Sequence, residues 1–173
     1  MLILLVRHAQ AGERDPERWP DDTLRSLTNV GREAHAGITR ALCRLDLYPE
    51  VLLTSPWKRA IQTANLMIEE MEVEIDATRC DALAAEPDLA KLQECIGTRT
   101  PDSVVALVGH SPWMEDLASL LLAGPGSRIA VDFPKSGVLA IQADRFEAGA
   151  GVLQFFLRPK QIRRLTRRKK GKR

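Results

Sequence analysis

Two of the chain's three histidines stand directly behind its two most apolar stretches. Met1-Leu2-Ile3-Leu4-Leu5-Val6 ends in Arg7-His8, and Ser103-Val104-Val105-Ala106-Leu107-Val108 ends in Gly109-His110. Another arginine, Arg59, follows the apolar run Val51-Leu52-Leu53-Thr54 after the short bridge Ser55-Pro56-Trp57-Lys58. A neutral imidazole can act as a nucleophile or exchange protons near pH 7, while guanidinium forks match the oxygens of an anion. Two of each, brought together, would suit chemistry on a dianion.

Whether they come together depends on the elements that carry them. A short apolar run bounded by turn residues reads as a strand buried on both faces, as in the middle of a parallel sheet. Ligands bind in such sheets beyond the carboxyl ends of the strands, where Arg7, His8, Arg59 and His110 all fall. Ser55-Pro56 and Ser111-Pro112 each read as an N-cap followed by the first helical residue, so two helix N-termini are expected at the same rim.

The remaining elements follow from periodicity. Glu13 to Asp22, broken by Pro16 and Pro20, reads as a loop over the crevice. Thr28 is the expected N-cap of a helix with Val30, Ala34, Ile38, Ala41, Leu42 and Leu45 as its apolar stripe, which leaves His35 on the surface. Ala60, Ala64, Met67 and Met71 mark the packed face of the helix after Arg59. Glu72 to Asp76 alternates like an exposed strand, and Asp88 to Ile96 suits a short helix. Leu117, Leu120 and Leu121 lie on a helix stopped by Gly124-Pro125-Gly126, and Val138–Gln142 and Gly151–Leu157 read as two closing strands around a turn at Gly149. Alternating strands and helices with a final hairpin predict a three-layer α/β sandwich: a mostly parallel central sheet, helices on both faces and an antiparallel edge.

At 173 residues the chain suits one domain, expected over 1–157, followed by a basic tail over 158–173. Its net charge of +2 hides an asymmetry: ten Lys and Arg and no acid lie beyond residue 157, leaving 15 bases against 23 acids before it. That tail is expected to contact an acidic partner. The apolar start is too short to span a membrane and has no cleavage signal, so no membrane insertion is expected. Cys43, Cys80 and Cys95 are odd in number and widely spaced, which suits a reducing cytoplasm better than a disulfide framework, and none is assigned chemistry. Arginines beside His8 and at the second strand end would repel a cation, so neither metal nor cofactor is expected.

Three blocks carry a family resemblance. Leu5-Val6-Arg7-His8 resembles the Arg-His motif of the histidine phosphatase superfamily, Ser55-Pro56-Trp57-Lys58-Arg59-Ala60-Ile61-Gln62-Thr63-Ala64 its Ser-Pro-x-x-Arg-Ala-x-Gln-Thr-Ala block, and Val108-Gly109-His110-Ser111-Pro112 its Gly-His element. The small size, Arg25-Ser26-Leu27-Thr28 with Gly31-Arg32-Glu33-Ala34, and Leu157-Arg158-Pro159-Lys160 resemble the SixA-type phosphohistidine phosphatase branch. The resemblance implies a phosphoglycerate mutase-like fold, with His8 as the nucleophile and Arg7, Arg59 and His110 around the phosphoryl group. It also implies that Arg25 assists with phosphate or substrate. Two positions depart from the pattern: Ala9 stands where the family has Gly, and Ser111 where it has Asn. Ser111 is expected to keep an N-cap and sit in the substrate-binding set.

The expected activity is hydrolysis of the P–N bond of a phosphohistidine protein through a covalent phosphohistidine enzyme, by a monomer acting in signal transduction. His8 is expected to hold its tautomer through a backbone carbonyl, and His110 to be protonated between arginine-bound phosphoryl oxygens. A general acid is harder to find, with Glu86 and Asp81 the candidates. An alkoxide leaving group, with a conjugate acid near the pKa of water at about 15.7, needs a proton far more than an imidazole of pKa about 6.5. A small-molecule phosphomonoesterase using Glu86, or a non-catalytic phosphate-binding module, are the alternatives.

Overall fold

The computed structural model describes residues 1–166. Six strands, β1 (Leu2–Arg7), β2 (Val51–Thr54), β3 (Ala77–Arg79), β4 (Val104–Gly109), β5 (Val138–Ala143) and β6 (Gly151–Leu157), form one sheet in the order β3-β2-β4-β1-β5-β6. β1 pairs in parallel with β4, and β4 and β3 each pair in parallel with β2. β5 runs antiparallel to both β1 and β6. The expected α/β architecture, mostly parallel with an antiparallel edge, is the one observed.

The pleat divides the core. Ile3, Leu5, Leu53, Val105 and Leu107 point to one face, against α3 (Leu89–Ile96) and α4 (Trp113–Ala123). Leu4, Val6, Leu52, Ala106 and Val108 point to the other, against α1 (Asn29–Cys43) and α2 (Lys58–Met71). Central strands buried on both sides need apolar side chains at every position, which is why β1 and β4 read as unbroken runs. Because β5 is antiparallel to β1, the loop entering it, Phe133–Gly137, arrives at the rim where β1, β2 and β4 end.

Several elements differ from expectation. Val73 to Asp76 is not a strand; α2 ends in a left-handed Glu72 and the edge strand is the three-residue β3. Thr28 does cap α1, its Oγ1 accepting from the Gly31 N–H at 3.0 Å, but the buried face is Gly31, His35, Ile38 and Leu42. Gly31 sets this phase: a Cβ there would lie 2.1 Å from the Gln10 carbonyl oxygen, so only glycine lets α1 close on the chain leaving β1. His35 is therefore fully buried, while Val30 and Ala34 face outward. The basic segment also has structure: Pro159–Thr166 is a helix, α5, packed on α1 with Ile162 against the α1/α2 core. Cys80 and Cys95, distant in sequence, meet with their Sγ atoms 3.0 Å apart.

Candidate active site

β1 and β4, paired Arg7 to Gly109, release His8 and His110 side by side with ring centroids 5.0 Å apart. Both are buried. His8 Nδ1 lies 2.7 Å from the Ala9 carbonyl oxygen, and Arg59 Nε–H donates to His8 Nε2 at 3.3 Å. An acceptor at one nitrogen and a donor at the other select the tautomer protonated on Nδ1, with the lone pair on Nε2. Burial drives His8 down to a pKa of about 3, its bond to Ala9 opposing and the charges of Arg59, Arg7 and Lys135 adding to the shift.

His110 is shifted in the same direction. Burial, then His8, Arg59 and Arg7, push its pKa down to about 2, so the ring is neutral. Its Nε2 lies 2.8 Å from Ser55 Oγ, and Nδ1 is buried without a partner. Trp57 packs on the ring at 4.3 Å and Trp113 meets it edge-on at 6.1 Å. Two indoles supply the apolar wall that desolvates this imidazole.

The Ser-Pro pairs do not cap helices. α2 begins at Lys58 and α4 at Trp113, and neither has a side-chain cap. Ser55 instead turns its hydroxyl to His110, with the Trp57 N–H also donating to it at 3.3 Å. The Ser111 hydroxyl donates to Glu115 Oε1 at 2.5 Å, which commits it within α4's first turn and corrects its expected capping role.

The α2 block ties the site together. Arg59 is buried with its guanidinium 4.4 Å over Trp57, and desolvation holds its pKa below the usual value. Thr63 Oγ1 donates to the Arg59 carbonyl at 2.6 Å and accepts the Ala9 N–H at 3.0 Å, while Gln62 Oε1 accepts the Leu27 N–H at 2.8 Å. These bonds explain why a helix beginning at Lys58 carries Arg, Gln and Thr at fixed offsets: one side chain faces the pocket and two hold the loops around it. The methyl of Ala9 is accommodated in a small cluster with Ala11 and Leu27. Arg7 Nη1 donates to the Phe133 carbonyl at 2.5 Å, leaving Nε buried without a partner.

Asp22, read from sequence only as loop, is the hub on the open side. Its carboxylate lies 3.2 Å from Arg59 Nη1 and 3.0 Å from Arg25 Nε, and its carbonyl accepts from Arg59 Nη1 at 2.8 Å. Burial raises its pKa, but the Arg25 hydrogen bond and the charges of Arg59, Arg25 and Arg14 outweigh this and hold it low. Arg25 also donates to the Gly12 carbonyl at 2.7 Å, so it reaches the site through Asp22. The only signal for Asp22 would have been the need of a buried arginine for a counter-ion.

Glu86 borders a hollow of about 430 Å³ with Asp116, Ser119 and Arg128, whose walls include none of Arg7, His8, Arg59 and His110. Asp81 opens a 3₁₀ turn, Asp81–Ala84, after β3. Among the described residues no three His, Cys, Asp or Glu side chains converge as a metal site, and no helix is long and apolar enough to cross a membrane.

Residues 3–84 match the family model described as histidine phosphatase superfamily (branch 1). Among solved structures, the protein histidine phosphatase SixA complexed with tungstate is 22% identical, with a TM-score of 0.78 over 94% of this chain and 99% of that one. A putative phosphohistidine phosphatase SixA from Agrobacterium tumefaciens is 23% identical, with a TM-score of 0.71 over 91% and 97%. A phosphoserine phosphatase mutant from Entamoeba histolytica, in complex with phosphoserine, is 14% identical with a TM-score of 0.60 over 90% and 95%. The chain thus shares the fold of these solved structures over most of its length. No curated protein matches it by sequence.

Proposed function

We propose that this protein is a phosphohistidine phosphatase, cleaving the P–N bond of a phosphorylated histidine in a partner protein. The observation that carries the proposal is the state of His8: neutral, oriented through Nδ1, and with its Nε2 lone pair held only by a 3.3 Å bond from Arg59. An incoming phosphoryl group takes that Arg59 N–H for its own oxygens and frees Nε2 for in-line attack. The P–Nε2 bond forms as the bond to the substrate imidazole breaks, and the imidazole takes a proton as it departs. Water then attacks phosphorus, releasing phosphate and restoring His8. Arg7 and Arg59 supply the forks that align and neutralise the equatorial oxygens, as phosphoryl transfer chiefly requires. His110, anchored by Ser55, adds a donor, and the phosphoryl charge offsets the arginines that depress its pKa.

The leaving group discriminates between readings. Asp22, in contact with Arg59, is held as an anion by two arginines and is a poor proton donor. An imidazole leaves with little help; an alkoxide does not. This favours P–N over P–O substrates, with Glu86 a supplementary acid only for an ester. The solved structures named for SixA support the same reading. We place the enzyme in the cytoplasm, as a monomer in a signalling relay, working without a metal, with its basic C-terminal segment facing an acidic partner.

The test is phosphate release by the full chain from a histidine-phosphorylated protein and from p-nitrophenyl phosphate, each with a His8→Ala control. Rapid His8-dependent release from phosphohistidine with little ester turnover is expected. Preference for the ester would overturn the assignment in favour of a phosphomonoesterase, and no turnover of either would leave a phosphate-binding module.

A further inference from the structure

The shifted face of α1 leaves an apolar strip that nothing among the described residues covers. Val30 is 66% exposed, and with Ala34 and Gly37 it floors a groove of about 500 Å³ between α1 and α5, with Ile162 on the far side. The walls are cationic: Lys135, Lys160 and Arg163 have no ion-pair partner among the described residues, Arg40 pairs with Glu70 at 2.7 Å, and Glu33 is the one acid lining the groove. The groove adjoins the backbone that carries Arg7 and His8. Gln10 and Ser136 line it, and the Ser136 N–H donates to the carbonyls of Arg7 and His8 at 3.1 and 3.2 Å. Lys135 lies at the join, its pKa lowered by desolvation and by Arg7, Arg25 and Arg59.

An apolar floor with a basic rim, starting beside the nucleophile, is complementary to an acidic amphipathic helix that also presents the phosphohistidine. We infer that this groove seats the acidic helix flanking the phosphorylated histidine of the substrate protein, and so sets specificity for protein over small phosphoramidates. The inference rests on the phosphohistidine reading. Its test uses two synthetic helical phosphohistidine peptides, one with glutamate flanks and one with glutamine, alongside phosphoramidate. Lys160→Glu/Arg163→Glu should raise KM for the glutamate peptide on the order of tenfold, leave kcat and phosphoramidate turnover unchanged, and abolish the preference over the glutamine peptide. Added salt should mimic the charge reversal. Ala34→Trp, which blocks the floor without altering charge, should raise KM for both peptides. Equal KM values for the two peptides on the unmodified enzyme, or a charge reversal that changes phosphoramidate equally, would overturn the groove assignment. Binding of the glutamate peptide to a His8→Ala chain, lost on charge reversal, would preserve it even if no turnover were seen and the phosphatase reading fell.

A separate observation concerns the cysteines. Cys80, buried, follows β3, and its N–H donates to the Thr54 carbonyl at 2.9 Å; Cys95, exposed, lies on α3 with its sulfur 3.0 Å from that of Cys80. We also infer that this pair is an oxidation site for peroxides, forming an intramolecular disulfide. Cys95 attacks a peroxide oxygen to give a sulfenic acid and water. The Cys80 sulfur then attacks that sulfur, forming S–S and releasing a second water, so the dithiol loses two electrons and two protons to the peroxide. Burial, then the Cys95 thiol beside it, lift the Cys80 pKa to about 12, and conversion of Cys95 removes that second contribution. Hydrogen peroxide should cost the reduced chain two thiols and two hydrogens by intact mass, sparing Cys43, and dithiothreitol should restore them. The oxidised chain should melt several degrees higher. Oxygen addition without loss of hydrogen, or the same loss in Cys95→Ser, would overturn it.

Discussion

All three histidines are buried with their pKa values driven down by desolvation, yet they occupy two unlike environments. His8 and His110 stand at strand ends among Arg7, Arg59 and the two indoles, His8 with both ring nitrogens in defined bonds and His110 with one. His35 sits inside the α1 interface with neither nitrogen bonded. A buried imidazole is therefore not in itself a site: convergence of charge makes one. His35 carries only cost, since unpartnered buried polar atoms destabilise by about 1–3 kcal/mol.

The contrast is open to direct test. His8→Ala should lower phosphate release by at least about 10⁴-fold with unchanged circular dichroism, since it removes the proposed nucleophile. Arg59→Lys should lower kcat/KM by roughly 10²- to 10³-fold, because an ammonium cannot replace the fork or its stacking on Trp57. Ser55→Ala should cost kcat about tenfold with KM little changed, freeing the His110 ring from its anchor.

His35→Leu should leave kcat at pH 7 within about twofold while changing acid stability. With the folded pKa near 4 and the unfolded value near 6.5, the unfolded chain binds the extra proton between them. Stability from this residue is thus complete above the unfolded pKa and falls as pH drops from 6.5 towards 4, by roughly 3 kcal/mol across the window. Urea titrations should give a shallower slope there for the leucine variant, with the remainder belonging to His8 and His110. Smallest of all, Glu86→Gln should alter phosphohistidine turnover by less than about twofold, and a larger loss would bring that carboxylate into the chemistry.

Much of this arrangement is legible in the chain. Strands buried on both faces must be apolar throughout, so β1 and β4 announce themselves, and the residues that break each run, Arg7-His8 and His110, lie at the rim. Less direct signals mislead. Ser55 and Ser111 precede prolines as caps do, but their hydroxyls are claimed by His110 and Glu115. An α1 stripe counted from Val30 puts His35 on the surface; the contact of Gly31 with Gln10 rotates the buried face, and that long-range contact has no periodic trace. Asp22 acquires its role only when Arg25 and Arg59 fold around it. In α5 the run of bases hides Ile162, which alone anchors its inner face to the core cluster.

The reversed direction of β5 has a consequence for how such an enzyme can diversify. Because β5 begins where β1 finishes, the segment Phe133–Gly137 reaches His8, contributing the carbonyl that holds Arg7 and the amide that meets the Arg7 and His8 carbonyls. The stretch ahead of it, between Gly124 and Asp132, belongs to no strand, so a change of length there leaves every strand register preserved. Selection, or a protein engineer, has in that single connection a place to exchange clientele without renegotiating the catalytic frame.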